Sequence, residues 1–132
     1  MGVIVIVIGL VFAGVAALIH VYIFYLESLA WTAPGTRRVF GTTAEQAEIT
    51  RSLAFNQGFY NLFLAVTVAL GIGFAAAGST TIGATLVFVG AGSMVAAGLV
   101  LVLSDRSKTR AALIQLVAPL IGIGALAVGL VG

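Results

Sequence analysis

Four long apolar runs, Gly2–Leu26, Leu53–Ala76, Ile82–Leu103 and Ala111–Val131, occupy most of this 132-residue chain. As helices rising about 1.5 Å per residue, each is long enough to cross a hydrocarbon core of roughly 30 Å. Lipid offers no partner to a backbone N–H or C=O, so a spanning segment must satisfy these groups internally, as a helix does. Charged residues make up only 8% of the chain and hydrophobic residues 61%, whereas a soluble domain carries about 25% charged residues. The expectation is an all-α membrane protein: a four-transmembrane-helix up-down bundle forming a single integral membrane domain over residues 1–132. Cysteine is absent, which excludes disulfides, thiolate metal sites and cysteine nucleophiles.

The few charges are sharply placed. Arg37, Arg38 and Arg51 lie between runs one and two, and Arg106, Lys108 and Arg110 between runs three and four. The termini and the Ala77–Thr81 turn carry no basic residue. Basic connections stay cytoplasmic in multi-pass proteins, which sets both termini outside and points to the plasma (inner) membrane. Clusters of three beside membrane segments read as topology signals, so no nucleic-acid partner is expected. Run one has no basic leader and is longer than the apolar core of a signal peptide, so it is expected to be retained.

The expected helices cover about residues 2–29, 43–76, 82–103 and 111–131. Pro34 should end the first and leave Trp31–Gly41 as a loop. Thr42 with Glu45 and Thr43 with Gln46 form two overlapping capping boxes, so the second helix should start near Thr43, about ten residues before its apolar section. Glu48 and Arg51 fall at i,i+3. Gly78-Ser79-Thr80 makes a tight turn. Small residues recur at helical spacing in runs three and four, among them Gly83, Gly90, Ala91, Gly98, Ala118 and Gly122. They suit close packing of those two helices on each other, with a homodimer seam as the alternative. Pro119 should loosen or kink the fourth helix.

Against this background stands a small polar set. His20, Glu27 and Trp31 share one face of the first helix. Asn56 and Tyr60 share a face of the second, with Gln57 and Asn61 beside it. Counting from the ends of the apolar runs at ~1.5 Å per residue, His20 lies roughly 9 Å below the cytoplasmic boundary and Asn61 roughly 12 Å. Gln115 enters the same half, and Arg51 could reach Glu27. Polar groups facing lipid are costly, so His20, Glu27, Asn56, Tyr60 and Asn61 are expected to converge on one cavity open to the cytoplasmic leaflet. His20 and Glu27 are the candidate catalytic pair, because a histidine and an acid can do general acid/base work. Trp31, Asn56, Gln57, Tyr60 and Asn61 are the candidate ligand-binding residues. The bland alternative is fastening: Asn, Gln and His commonly hydrogen-bond between membrane helices. One histidine and one interfacial acid are too few for a metal or haem, and no cofactor is expected.

The stretch His20-Val21-Tyr22-Ile23-Phe24-Tyr25-Leu26-Glu27 with Trp31, and Asn56-Gln57-Gly58-Phe59-Tyr60-Asn61 followed by Phe63-Leu64-Ala65, resembles the bacterial family catalogued as domain of unknown function 1304 (DUF1304). The similarity covers most of the chain. It implies a small four-helix membrane protein and no established activity, so whether the chain is an enzyme stays open. The residues themselves suggest a site that binds or converts a lipid-like or isoprenoid molecule, with a membrane lipid or apolar small molecule as partner. The alternatives are a small proton-coupled transporter or channel component and an accessory subunit of a membrane complex.

Overall fold

A computed structural model describes residues 1–132. Helix α1 runs Gly2–Phe24 and continues into a single π turn, Tyr25–Leu29. A short helix α2 spans Pro34–Phe40, α3 Ala44–Ala76, α4 Thr80–Ser104 and α5 Thr109–Val131, with a 3₁₀ turn at Arg106–Lys108 before α5. Four segments, Gly2–Leu29, Ala44–Ala76, Thr80–Ser104 and Arg106–Val131, are long and apolar enough to cross a membrane.

Four antiparallel helices close into a ring, and small residues set how closely each pair approaches. Gly9 of α1 sits against Gly122 and Leu126 of α5, Gly71 of α3 against Gly83 and Val87 of α4, and Gly98 of α4 against Ala112 and Leu116 of α5. Gly58 of α3 completes the ring by meeting Phe24 and Ser28 at the end of α1. The interior is built from Ala13, Ala16, Val68, Val87, Ala91 and Met94, all fully buried. Where the surroundings are as apolar as leucine, burying a large side chain brings little gain. Close backbone approach through Gly and Ala is what holds the helices together. These glycines therefore pack α1 on α5 and α3 on α4 as well as the expected pair.

Helix α3 is continuous from Ala44, as its capping signal requires. Thr43 Oγ1 accepts from the Gln46 amide at 3.1 Å, and Gln46 Oε1 accepts from the Thr43 amide at 3.0 Å. The rival box at Thr42 does not form. Helix α5 passes through the buried Pro119 without a break. The expected loop Trp31–Gly41 contains α2 instead: Pro34 occupies its first turn, where a missing N–H costs nothing, and Gly41 follows its end with φ +65. Both basic connections lie at one end of the ring, joined where Lys108 Nζ donates to the carbonyls of Phe40 and Gly41. The second basic connection is pre-shaped by Asp105. Hydrogen bonds from the Ser107 hydroxyl and then its amide hold that carboxyl below the usual carboxylate range.

Candidate functional site

The π turn decides what α1 presents at the basic end. The Ala30 amide reaches back five residues to the Tyr25 carbonyl, at 3.0 Å. A wider turn of this kind brings the neighbours Glu27 and Ser28 both against α3. Ser28 Oγ donates to the Phe55 carbonyl at 2.8 Å, and the Phe24 ring meets Phe59 edge-on at 5.0 Å. Gly58 makes this approach possible, because a Cβ there would collide with Ser28 Oγ and lie 3.0 Å from the Ser28 nitrogen. Glu27 is thereby buried, only 4% exposed, and Asn61 Nδ2 donates to its Oε1 at 2.8 Å.

No cation pairs with Glu27. Arg51 pairs with Glu48, at 3.6 Å on the exposed side of α3, as their i,i+3 spacing suggests, and the contact with Glu27 that it could have reached is not made. A surface pair at i,i+3 has the easier geometry, since both side chains stay hydrated. Glu27 borders a cleft of about 450 Å³ between the ends of α1, α3, α4 and α5, with Phe40 of α2 in its lining. Trp31, Phe40, Leu53 and Leu101 give it apolar walls, while Gln57, Gln115, Thr42 and Lys108 supply polar groups. Trp31 is held in place: Nε1 donates to Thr50 Oγ1 at 3.1 Å, and its ring centroid is 5.1 Å from that of Phe40. Glu27 and Trp31 also edge a second cleft, about 560 Å³, whose other walls include Ser52 and Phe55.

Of the five residues expected to converge, the structure joins Glu27 to Asn61 and leaves out three; of the other candidate binding residues, Gln57 and Trp31 line the cleft beside Glu27. Asn56 and Tyr60 are exposed, Tyr60 by 64%, and neither lines a cavity. The register of α3 explains this. At about 100° per residue, Ala54, Gly58, Asn61, Ala65 and Val68 lie within about 40° of one direction, whereas Asn56 stands about 200° and Tyr60 about 240° from Ala54. The inner face is the small-residue face. Tyr60 on the outside suits an aromatic belt, and Asn56, near the start of the apolar section, avoids the deep hydrocarbon. His20 is 1% exposed but borders no cleft. Its Nδ1–H donates to the Ala16 carbonyl at 2.8 Å on its own helix. The expectation that these five side chains share one cavity is corrected accordingly.

Sequence reasoning missed Phe40, Thr42 and Lys108. The signal was present: Pro34 followed by Gly41 is a start-and-stop pair for a short helix, and that helix carries Phe40 to the cleft. No group of three or more His, Cys, Asp or Glu side chains comes together to hold a metal ion.

A ring of four helices, each long and apolar enough to cross a membrane, defines a transmembrane helical bundle. The family described as "Protein of unknown function (DUF1304)" matches residues 14–127. The chain belongs to that family. No curated protein and no solved structure matches it.

Proposed function

We propose that the cleft beside Glu27 binds the polar end of an amphiphile taken from the membrane, lipid-like or isoprenoid in its apolar part. The observation that carries this reading is Glu27 itself: a buried carboxyl with one neutral donor and no ion-pair partner, at the edge of a 450 Å³ space. A ligand site typically joins apolar walls to a few placed polar groups, within about 300–1,000 Å³. Glu27, Gln57 and Gln115 are the polar groups of this reading, and Trp31 and Phe40 the walls. His20 then supports the interior, with its donor already satisfied. A conduction path finds less support, because the apolar core of Ala13, Ala16, Val68, Val87, Ala91 and Met94 is fully buried.

The test is to identify by mass spectrometry what stays bound through purification in a mild detergent. The wild type is expected to retain one class of amphiphile, and Glu27→Ala to lose it while still inserting and folding. The same bulk-lipid mixture on both proteins would contradict the reading.

In the same reading the protein is a multi-pass protein of the plasma (inner) membrane, with the cleft and both basic connections cytoplasmic and both termini outside. The six basic residues, all at one end of the ring, support this orientation. Single cysteines at Ser79→Cys and Ser107→Cys test it with an impermeant thiol reagent on intact cells. Label is expected on the first and not on the second, and the reverse pattern would overturn the orientation.

A further inference from the structure

We propose that this cleft takes the headgroup of a zwitterionic phospholipid, its ammonium toward Glu27 and its phosphate toward Lys108; the assignment rests on the amphiphile reading above. The cleft is lined by two groups of opposite formal charge, Glu27 at the end of α1 and Lys108 beside α5, and they form no ion pair with each other. Neither charge is therefore matched from within the site. Two aromatic rings, Trp31 and Phe40, share the lining with Glu27. A carboxylate beside aromatic faces is a setting that attracts an organic cation.

The other pole has its own donors. Lys108 Nζ donates to the carbonyls of Phe40 and Gly41, which hold the ammonium at the joint between α2 and α3. An ammonium carries three donors, so one remains. Next to Gly41, Thr42 Oγ1 is buried and has no hydrogen-bond partner. A buried hydroxyl left without a partner is uncommon and costs free energy, and a phosphate oxygen would supply the acceptor. The positive end of the α3 dipole opens at this place too, just beyond Thr43.

Other headgroups satisfy only part of this set. A purely anionic head would bring charge against Glu27, and a purely cationic one would bring it against Lys108. An uncharged alcohol leaves both charges unmatched. A zwitterion answers both poles and gives Thr42 its acceptor.

The experiment uses the full chain, stripped of lipid in detergent. It is offered equal amounts of phosphatidylethanolamine, phosphatidylglycerol and diacylglycerol with the same acyl chains, and retained lipid is counted by native mass spectrometry. The wild type is expected to favour phosphatidylethanolamine by about tenfold, the scale of one charge-assisted hydrogen bond. Glu27→Gln should remove that preference. Thr42→Val, nearly the same shape on a partly exposed residue, should weaken phosphatidylethanolamine retention about threefold without lowering the thermal stability of the lipid-free chain, because it removes an unpartnered hydroxyl. It keeps the test decisive if Glu27→Gln fails to fold. Retention of phosphatidylglycerol or diacylglycerol as strongly as phosphatidylethanolamine would overturn the headgroup assignment and leave amphiphile binding standing. Retention of none of the three, with no amphiphile co-purifying from cells, would overturn both.

Discussion

Gly58→Leu is expected to abolish amphiphile retention and to lower stability by about 1–3 kcal/mol, the usual cost of overpacking. Gly58 is where α3 touches the π turn of α1, and a side chain there meets Ser28 Oγ, the Ser28 nitrogen and the Phe24 carbonyl. Ser28 could rotate away only by giving up its bond to the Phe55 carbonyl, and the two backbone atoms cannot yield without moving the turn. Moving the turn carries Glu27 away from Asn61 and Trp31 away from Thr50, since Glu27 and Ser28 lie within the turn and Trp31 at its exit. Loss of binding should therefore exceed what the drop in folded protein accounts for. Thermal unfolding in detergent, measured beside ligand retention on the folded fraction, separates the two effects. A Gly58→Leu protein that binds normally would contradict the role given to the π turn.

Gly9→Leu is expected to destabilise the bundle by a similar amount, about 1–3 kcal/mol or more, while any protein that remains folded binds as the wild type does. A Cβ at Gly9 would lie 2.6 Å from the Leu126 nitrogen and 3.0 Å from the Gly122 carbonyl oxygen. Both are backbone atoms, so α1 and α5 must separate at the end of the ring away from the cleft. Thermal unfolding in detergent reads the loss. Unchanged stability would mean that this close approach does not hold α1 on α5.

The two substitutions are alike in chemistry and differ in place, and that difference shows how much the sequence carries. Apolar length made the four long helices legible, and Thr43 with Gln46 made the start of α3 legible, because each depends on residues near in sequence. Depth did not foretell the bond between Glu27 and Asn61, because counting along the runs set Asn61 level with His20 and left Glu27 near the boundary. Rotation about the α3 axis was not legible from polarity. Asn56 and Tyr60 were expected inward because polar groups avoid lipid, yet Gly58, Ala54 and Ala65 hold the inner face because close approach needs small residues. The π turn has no local signal either. It follows from how Ser28 and Glu27 dock on α3, which is a tertiary matter. Pro34 shows a different miss: the first helix does end before it, at Leu29, but the same proline also opens α2.

The most direct test of the cleft as a binding site is photolabelling with an amphiphile that carries a diazirine beside its polar head, followed by peptide mapping of the full chain. Adducts are expected on the segments holding Trp31, Phe40, Gln57 and Gln115, to saturate with dose, and to be competed away by the unlabelled amphiphile. Label spread over the outward-facing Val11, Leu18, Tyr60 and Phe63, rising with dose and indifferent to competitor, would show partition into the surrounding lipid or detergent and contradict a binding site at Glu27.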